Sequence, residues 1–282
     1  MNTKKPKSLK VRNMRIGSHV TLSVWLVVVL FPLYIMLINS FKDKRSIYTN
    51  TFGLPETWNL SNYTDVLSSG DFLGYFKNSF IVVLLSLFLM LLLGTLASYA
   101  LAKWSGRWSN LLYFIFIAGM MMPIKIASIR LLEIVKTLNL MNTIWGLVPI
   151  YVAMGIPIAI FVLTEFIRQI PLELSEAAFM DGCGRFQTLI RIIVPMLKPA
   201  LASVAIYNLV PFWNDLWFPL IFISDEKSKT LLLGVTRLFG QYQTDWSKVL
   251  AVLTLSSIPV LALYLAMSRQ FIKGMTAGAV KG

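Results

Sequence analysis

The sequence contains few residues of the kinds that catalyse reactions or bind metals. His19 is the only histidine and Cys183 the only cysteine among the 282 residues. Zinc sites and histidine-based nucleophilic triads need several such side chains held together, so both kinds of site are excluded. A single cysteine also cannot form a disulfide within the chain. We therefore expect neither metal ligands nor catalytic residues.

Charged residues are also scarce, and their distribution indicates the class of protein. They make up 14% of the chain and hydrophobic residues 56%, whereas about a quarter of an average soluble domain is charged. A spanning helix needs about 20 consecutive apolar residues. Windows free of charge occur at 21–39, 78–102, 108–124, 137–164, 199–214 and 249–268. They predict an all-α integral membrane protein with six transmembrane helices, and they argue against a soluble chain with buried helices.

Positive charge precedes the first window and sets the expected orientation. The apolar run that follows is too long for a signal peptide, contains Pro32 and ends in "INSFKDK" without a small-residue cleavage site, so we expect it to remain as a helix. The positive-inside rule then places both termini in the cytoplasm. Anionic lipid headgroups account for the net charge of +13 better than nucleic acid does, because the charges are divided among loops. The basic residues before the window are Lys4, Lys5, Lys7, Lys10, Arg12 and Arg15.

The whole chain, 1–282, is predicted to be one transmembrane domain with three long connectors. Those at about 41–77 and 224–247 are expected outside, and the one at about 166–198 in the cytoplasm. The 224–247 connector carries several apolar residues, so it either dips toward a pore or meets a partner. A GxxxxGK[ST] phosphate-binding loop is missing, so the energy source must lie elsewhere. Proton-coupled carriers often pair carboxylates within the membrane, but Asp215 is the only acidic residue deep in a predicted span.

The cytoplasmic connector contains the most informative segment, "ELSEAAFMDGCGRFQTLIRIIVPMLKPA" at 173–200. Pro171 suits the first turn of a helix, and acidic residues at 173 and 176 favour its N-terminal dipole. Gly182 and Gly184 predict a sharp turn. Phe186, Leu189, Ile190 and Ile193 then follow at the spacing of an amphipathic helix. The pattern fits either a docking tip for a partner or an interfacial hairpin that anchors the loop.

This segment resembles the EAA motif of the permease subunits of ABC importers. The matching residues are Glu176, Ala177, Ala178, Asp181, Gly182 and Pro195. The resemblance is to the carbohydrate-uptake branch, and within it to the smaller permease of maltose-type systems. It extends over nearly the whole chain, with "NSFK" at 39–42, "WNDLWFPLIF" at 213–222, "GQYQTDW" at 240–246 and "TAGAVKG" at 276–282.

The resemblance implies a type I ABC importer permease fold in the bacterial plasma (inner) membrane. It also implies a second homologous permease, two ATPase subunits, an extracellular solute-binding protein and a sugar substrate as partners. No cofactor is expected in this chain, because ATP and Mg would bind the ATPase subunits. The EAA segment would be the coupling helix that docks on an ATPase. Its expected docking residues are Glu173, Glu176, Ala177, Ala178, Asp181, Gly182 and Arg185.

A candidate substrate path lies at the end of the fifth window. Asn208 and Asp215 are seven residues apart, so they would share one face of a continuous helix. Trp213, Asn214 and Trp217 lie beside Asp215, and aromatic rings next to polar groups suit a sugar. The same tryptophans would also fit an aromatic belt at the outer interface. The family resemblance further implies that Gly240, Gln241 and Tyr242 contact the binding protein, although a packed re-entrant loop would have the same composition.

The predicted function is that of a permease subunit in an ATP-driven sugar or oligosaccharide importer that works by alternating access. One alternative is a permease for a polyol or glycerol phosphate, for which Lys125 is the candidate phosphate ligand. Another is a membrane-embedded enzyme acting on lipid-linked sugars. That enzyme would need a cluster of carboxylates or histidines at one interface, which the sequence does not contain.

Overall fold

The computed structural model describes residues 7–68, 71–104, 106–239 and 244–279, and these are almost entirely helical. Within these ranges the only β-type pairing is an isolated bridge between Phe239 and Thr244. The α-helices are α1 Lys7–Ser40, α2 Lys44–Thr49, α3 Ser61–Ser68, α4 Asp71–Lys103, α5 Arg107–Met120, α6 Ser128–Thr137, α7 Leu147–Arg168, α8 Leu172–Met180, α9 Arg185–Thr188, α10 Val194–Met196, α11 Lys198–Trp213, α12 Trp217–Phe222, α13 Leu231–Val235 and α14 Trp246–Ala279. A π turn, Leu189–Ile193, joins α9 to α10, and short 3-10 turns occupy Ile124–Ala127, Ile144–Gly146, Glu226–Ser228 and Thr236–Leu238.

Four unbroken helical segments in the described ranges are long and apolar enough to cross a membrane, namely Gly17–Ser40, Asp71–Lys103, Ile144–Arg168 and Trp246–Ala266. Two further candidates are bent pairs: Arg107–Met120 with Ile124–Thr137 at 83°, and Arg185–Met196 with Lys198–Trp213 at 73°. Counting each pair as one crossing gives six spans, in the order of the six charge-free windows.

Proline accounts for both bends. Pro123 lies in the break between the members of the first pair, and Pro195 and Pro199 flank the second break at Leu197. Because proline lacks a backbone N–H and its ring clashes with the preceding turn, a helix bends or restarts there. Pro195 and Pro199 thus separate the amphipathic segment at 185–196 from α11.

The chain divides into two compact units, of which the first comprises 1–69 and 238–255. Its described part is organised around Lys42 of the "NSFK" motif, whose side chain is only 2% exposed. The Lys42 ammonium donates to Asn39 Oδ1 (3.0 Å) and to the carbonyls of Asn50 (2.6 Å) and Gly53 (2.7 Å). A buried charge needs such hydrogen-bond partners. Burial also lowers the pKa of the Lys42 ammonium. The motif therefore stabilises the conformation of the segment that follows α1, up to Gly53.

The second unit comprises 70–237 and 256–282, and its centre is the packing of α4 on α7. Met90 on α4 and Ile160 and Leu163 on α7 are fully buried. Ser98 Oγ on α4 also donates to the Ile160 carbonyl at 3.5 Å. Because lipid chains are as apolar as these side chains, close packing stabilises such a helix pair more than the hydrophobic effect does. The candidate sites lie on this pair and its connectors.

Candidate functional site

The connector at 169–197, between α7 and α11, begins with α8. Pro171 was predicted in the first turn of this helix and is its N-cap, directly before the first helical residue. Ser175 and Ala178 are buried against the rest of the unit, whereas Glu173, Glu176 and Ala177 are exposed. Ser175 Oγ accepts a 3.0 Å hydrogen bond from Lys103 Nζ at the end of α4. One face of α8 is thus fixed to its own chain and the opposite face is free.

The turn after α8 is a Schellman motif. The N–H of Cys183 donates to the Ala178 carbonyl (2.9 Å) and the N–H of Gly182 to the Phe179 carbonyl (3.0 Å), after the helix caps at Asp181. This motif requires a left-handed residue, and Gly182 has φ +78°. Gly184, by contrast, has φ −70° and ψ 167°, an extended conformation open to any residue. The prediction that the turn needs glycine is confirmed for Gly182 and wrong for Gly184.

The segment after the turn, 185–196, packs against its own chain through only two of the four apolar residues predicted to form one face. Leu189 and Ile193 are buried in a cluster with Ile167 of α7 and Leu197. Phe186, however, is exposed, and so is Ile190. The π turn over Leu189–Ile193 shifts the helical register, so the four residues do not share one buried face. The prediction of a single amphipathic face is therefore wrong in register.

The expected docking residues lie on this connector, but they do not all face outward. Glu173, Glu176, Ala177, Asp181, Gly182 and Arg185 are exposed. Ala178 is 3% exposed and packs inside its own chain, so its side chain is not accessible to a partner. Met180 is 88% exposed and forms the apolar tip of α8, and it was not among the predicted docking residues. A long apolar side chain just before the glycine turn is the signal that could have identified it.

The candidate substrate path differs from the prediction at its centre. Helix α11 ends at Trp213 with Asn214 as its cap, so Asp215 lies beyond the helix. The expectation that Asn208 and Asp215 share one helical face is wrong. The reason is local: the Asp215 carboxylate accepts from the backbone N–H groups of Trp217 (3.2 Å) and Phe218 (3.3 Å), and such bonds compete with helix continuation. Tyr151 on α7 also donates its hydroxyl to Asp215, at 2.9 Å.

The tryptophans beside Asp215 have different environments. Trp213 is buried, donates Nε1–H to the Ser256 carbonyl (3.2 Å) and meets the edge of Phe76. Trp217 is 43% exposed, and its indole donates to Ser128 Oγ at 2.8 Å. Lys125 Nζ lies over the Trp217 ring, 5.6 Å from its centroid. The accessible aromatic surface is therefore that of Trp217.

The two asparagines of the candidate path also differ in exposure. Asn208 is 5% exposed and donates Nδ2–H to the carbonyl of Val204 one turn earlier, at 2.9 Å, so it is part of the packed interior. Asn214 is exposed. Of the predicted path residues, only Asn214 and Trp217 present an open surface, and Asp215 is half-buried. Tyr151 was missed because it is 64 residues from Asp215 in sequence.

Gly240, Gln241 and Tyr242, predicted to contact a binding protein, lie outside the described residues. The preceding connector at 223–237 is held against the start of α4. The N–H of Leu231 donates to Ser79 Oγ (2.7 Å), and Asn78 Nδ2 donates to the carbonyls of Lys227 (2.8 Å) and Lys229 (2.9 Å). The side chains of Leu231, Leu233 and Val235 are buried. This apolar content therefore serves packing within the chain.

A cluster of ion pairs also fastens the 223–237 connector to the start of α4. Arg237 pairs with Glu226 (2.9 Å) and Asp71 (3.2 Å), and Glu226 also pairs with Lys229 at 2.9 Å. The Tyr75 hydroxyl donates to Glu226. This hydrogen bond is the main reason that the pKa of the Glu226 carboxyl lies below its usual range, with the neighbouring cations adding to it. Among the described residues, no group of three or more His, Cys, Asp or Glu side chains could hold a metal ion.

Comparison with known proteins identifies the family. Residues 90–277 match the family described as "Binding-protein-dependent transport system inner membrane component". The chain belongs to this family. It is a multi-pass inner-membrane permease, and the predicted recognition through the EAA motif is confirmed.

Similar permeases match over nearly their full length. The chain is 35% identical to the inner membrane ABC transporter permease protein YcjP of Escherichia coli, over 95% of this chain and 97% of that protein. It is 33% identical to the multiple sugar-binding transport system permease protein MsmG of Streptococcus mutans, over 93% and 96%. The identity to the diacetylchitobiose uptake system permease protein NgcG of Streptomyces coelicolor is 31%, over 94% and 88%.

A solved structure supports the fold. The permease superposes with a TM-score of 0.80 on a chain of a bacterial ABC transporter involved in the import of the acidic polysaccharide alginate. The sequences are 20% identical, and the match covers 96% of this chain and 100% of that one. The predicted type I importer fold is confirmed.

Proposed function

We propose that this permease forms half of the translocation path of an ATP-driven importer of sugars or oligosaccharides. The observation that carries the proposal is the similarity, over nearly the whole chain, to permeases named for diacetylchitobiose uptake and for multiple sugar-binding transport. A related alginate transporter is described in complex with a pentasaccharide-bound periplasmic protein. The proposed partners are a second permease, two ATPase subunits that bind ATP and Mg, and a solute-binding protein.

The proposed coupling element is the free face of α8. Glu173, Ala177 and the Met180 tip would enter a cleft of one ATPase subunit. The opposite face is tied to α4 through Lys103 and Ser175, so a displacement of α8 is passed to a spanning helix. Leu189 and Ile193 give a second route, since both are buried in one cluster with Ile167 of α7. Closure of the ATPases would in this way move α4 and α7 and open the path to the outside.

For the solute, we propose that Trp217 and Asn214 line the path. The exposed indole face offers an apolar platform for the C–H face of a sugar ring, and the Asn214 amide can exchange hydrogen bonds with hydroxyl groups. Asp215 has a different role: it holds the start of α12 and thereby orients Trp217. A solute bearing a phosphate or carboxylate is the second candidate, because Lys125 lies over the same ring and forms no ion pair within the described ranges.

The test of the function is ATPase stimulation in the assembled importer, purified with its neighbours and reconstituted into vesicles. We expect binding proteins loaded with neutral sugars to stimulate ATP hydrolysis and uptake of the same sugar. Stimulation only by a binding protein loaded with an anionic solute, and its loss in Lys125→Gln, would favour the second candidate. No stimulation by any sugar-loaded protein would contradict the proposal.

The proposed orientation, with α8 and both termini in the cytoplasm, can be tested with the native cysteine. Cys183 is the only cysteine and lies in the turn that follows α8. We expect a membrane-impermeant maleimide to label the permease in inside-out vesicles and not in right-side-out vesicles. Cys183→Ser is the control. Labelling from the outer side only would reverse the assignment of α8 to the ATPase side.

A further inference from the structure

A crevice of about 610 Å³ opens where α4 ends against α8 and the start of α9. Its volume lies within the range of about 300–1,000 Å³ that is typical of small-molecule sites. Tyr99, Ala100, Lys103 and Trp104 of α4 form one wall. The other wall carries Leu172, Ser175, Glu176, Phe179 and Arg185. Five of these nine side chains are apolar or aromatic without charge, so the crevice suits a ligand that is apolar over much of its length.

The position of the crevice along α4 limits what can reach it. The charge-free window of α4 ends at Ala102, and Lys103, the next residue, lies on the crevice wall. Trp104 follows and is more than half exposed. Lysine and tryptophan at the end of a span mark the level where hydrocarbon gives way to headgroups. The crevice therefore opens at the membrane interface, where lipid is the most abundant ligand.

The charges on the walls favour a lipid with an anionic headgroup. Lys103 and Arg185 are two cations, and Glu176 is one carboxylate, which leaves one net positive charge. Within the described part of the chain, none of the three forms an ion pair. Lys103 Nζ is instead held by Ser175 Oγ, and this contact leaves two of its three donors free. Basic side chains beside the end of a spanning helix attract anionic headgroups at the cytoplasmic surface.

We propose that this crevice binds one anionic phospholipid, with its phosphate between Lys103 and Arg185 and an acyl chain against Trp104, Leu172 and Phe179. Since Ser175, Glu176 and Phe179 belong to α8, the bound lipid braces the coupling helix against α4. The assignment to the cytoplasmic leaflet, and to this role in coupling, rests on the proposed function. The binding itself rests on the crevice, its level and its charges.

The experiment uses the assembled importer in nanodiscs that contain equal parts of phosphatidylglycerol and phosphatidylcholine. A photoactivatable phosphatidylglycerol is cross-linked without nucleotide or solute, and labelled peptides are quantified by mass spectrometry. We expect labels within 99–104 and 172–185. Lys103→Gln and Arg185→Gln should each lower labelling about fivefold, since each basic residue near an anionic surface contributes about that factor. Ala100→Trp should lower it by filling the crevice, and Arg191→Gln, on the same connector but outside the crevice wall, is the matched control.

Three results would overturn the proposal. The first is equal labelling of these peptides in wild type and in all crevice variants. The second is equal labelling by a photoactivatable phosphatidylcholine, which would mean that the crevice does not distinguish an anionic from a zwitterionic headgroup. The third is loss of ATPase subunits from the Ala100→Trp complex with phosphatidylglycerol labelling unchanged, which would identify the occupant as protein. Because solute and nucleotide are omitted, these results do not depend on the identity of the solute, and maleimide labelling of Cys183 tests the leaflet separately.

Discussion

Two connectors of the second unit, at 169–197 and 223–237, use their side chains in opposite ways. The 223–237 connector turns its apolar residues inward and pairs its charges with one another, as in Arg237 with Glu226. The 169–197 connector leaves the apolar Met180 and several charged side chains exposed. A segment whose apolar residues are buried and whose main charges are paired within the chain needs little further, whereas exposed apolar and unpaired charged groups on a fixed backbone indicate a partner.

The two connectors also differ in how their backbones are held. The 223–237 connector depends on side chains of α4, including Tyr75, whose ring fills the space where Gly234 has no Cβ. In the 169–197 connector, Ser175 holds α8 to Lys103, and α8 ends in a backbone turn where the N–H groups of Gly182 and Cys183 satisfy the carbonyls of Phe179 and Ala178. Substitution of Gly182 should therefore impair the function of the 169–197 connector. Substitution of side chains such as Tyr75 should instead lower the local stability of the 223–237 connector.

The largest effect is expected from Gly182→Val. A β-branched residue at φ +78° is strongly disfavoured, at a cost above about 1 kcal/mol, so the turn would reorganise and the α8 tip would move. We expect solute uptake by reconstituted importer to fall more than about tenfold, in line with the loss of a positioned docking element. Gly184→Val is the matched control, because Gly184 is extended and nothing lies near its missing Cβ.

For that comparison, membrane levels of both variants are measured by immunoblot, so that failed insertion is not mistaken for lost coupling. Uptake by Gly182→Val at the wild-type rate would remove the assigned role of the turn. Equal loss in both glycine variants would mean that the whole segment, and not its left-handed residue, is sensitive.

A smaller effect is expected from Met180→Ala, which truncates the apolar tip of α8 without changing the backbone. If the tip enters an ATPase cleft, the affinity for that subunit should fall by about 1–2 kcal/mol, as for a buried interface residue. The measurement is the fraction of ATPase that remains bound to the purified permease on dilution. Met121→Ala is the control, since Met121 is similarly exposed but lies at the bend after α5. Equal retention in both variants would contradict a docking role for the tip.

The contrast between the connectors also explains what the sequence could predict. Local signals gave the spans, the restart of α11 at Pro199 and the turn at Gly182, because each depends on residues within one or two helical turns. The π turn that exposes Phe186 and Ile190 carries no comparable local signal, so helical periodicity placed them wrongly.

Contacts between distant segments were missed for a related reason. Tyr75 and Glu226 are 151 residues apart, and Tyr151 and Asp215 are 64 residues apart. Helical periodicity contains no information on such pairs, so an acid beside an apolar run was taken as part of a helix face. In the structure, Asp215 instead ends one helix and starts the next.

The third prediction concerns Tyr75→Phe, which keeps the ring against Gly234 but removes the hydroxyl that Glu226 and Arg237 share. Loss of a hydrogen bond to a charged group costs about 1.5–3 kcal/mol, and less where the group is open to water. We expect faster hydrogen exchange over 226–237 and unchanged exchange over 172–188. Tyr48→Phe, at an exposed tyrosine in α2, is the control. Equal acceleration in both connectors would mean that they are not held independently.

The smallest effect is a pH dependence confined to the 223–237 connector. Because the Tyr75 hydroxyl and the nearby cations lower the pKa of Glu226 in the folded chain, its carboxylate stabilises this connector at pH values above about 4.3, the ordinary value for Glu. That contribution is lost as the pH falls through the lower folded value, since protonation then removes the ion pairs with Arg237 and Lys229. Hydrogen exchange over 226–237, corrected for its intrinsic pH dependence, should therefore quicken below about pH 4 in wild type and should change less with pH in Glu226→Gln, which keeps only the Arg237–Asp71 pair of this cluster. Acid-induced opening of equal size in wild type and in Glu226→Gln would assign the titration to a group other than Glu226, and the Glu226 ion pairs would then contribute nothing specific to the difference between the two connectors.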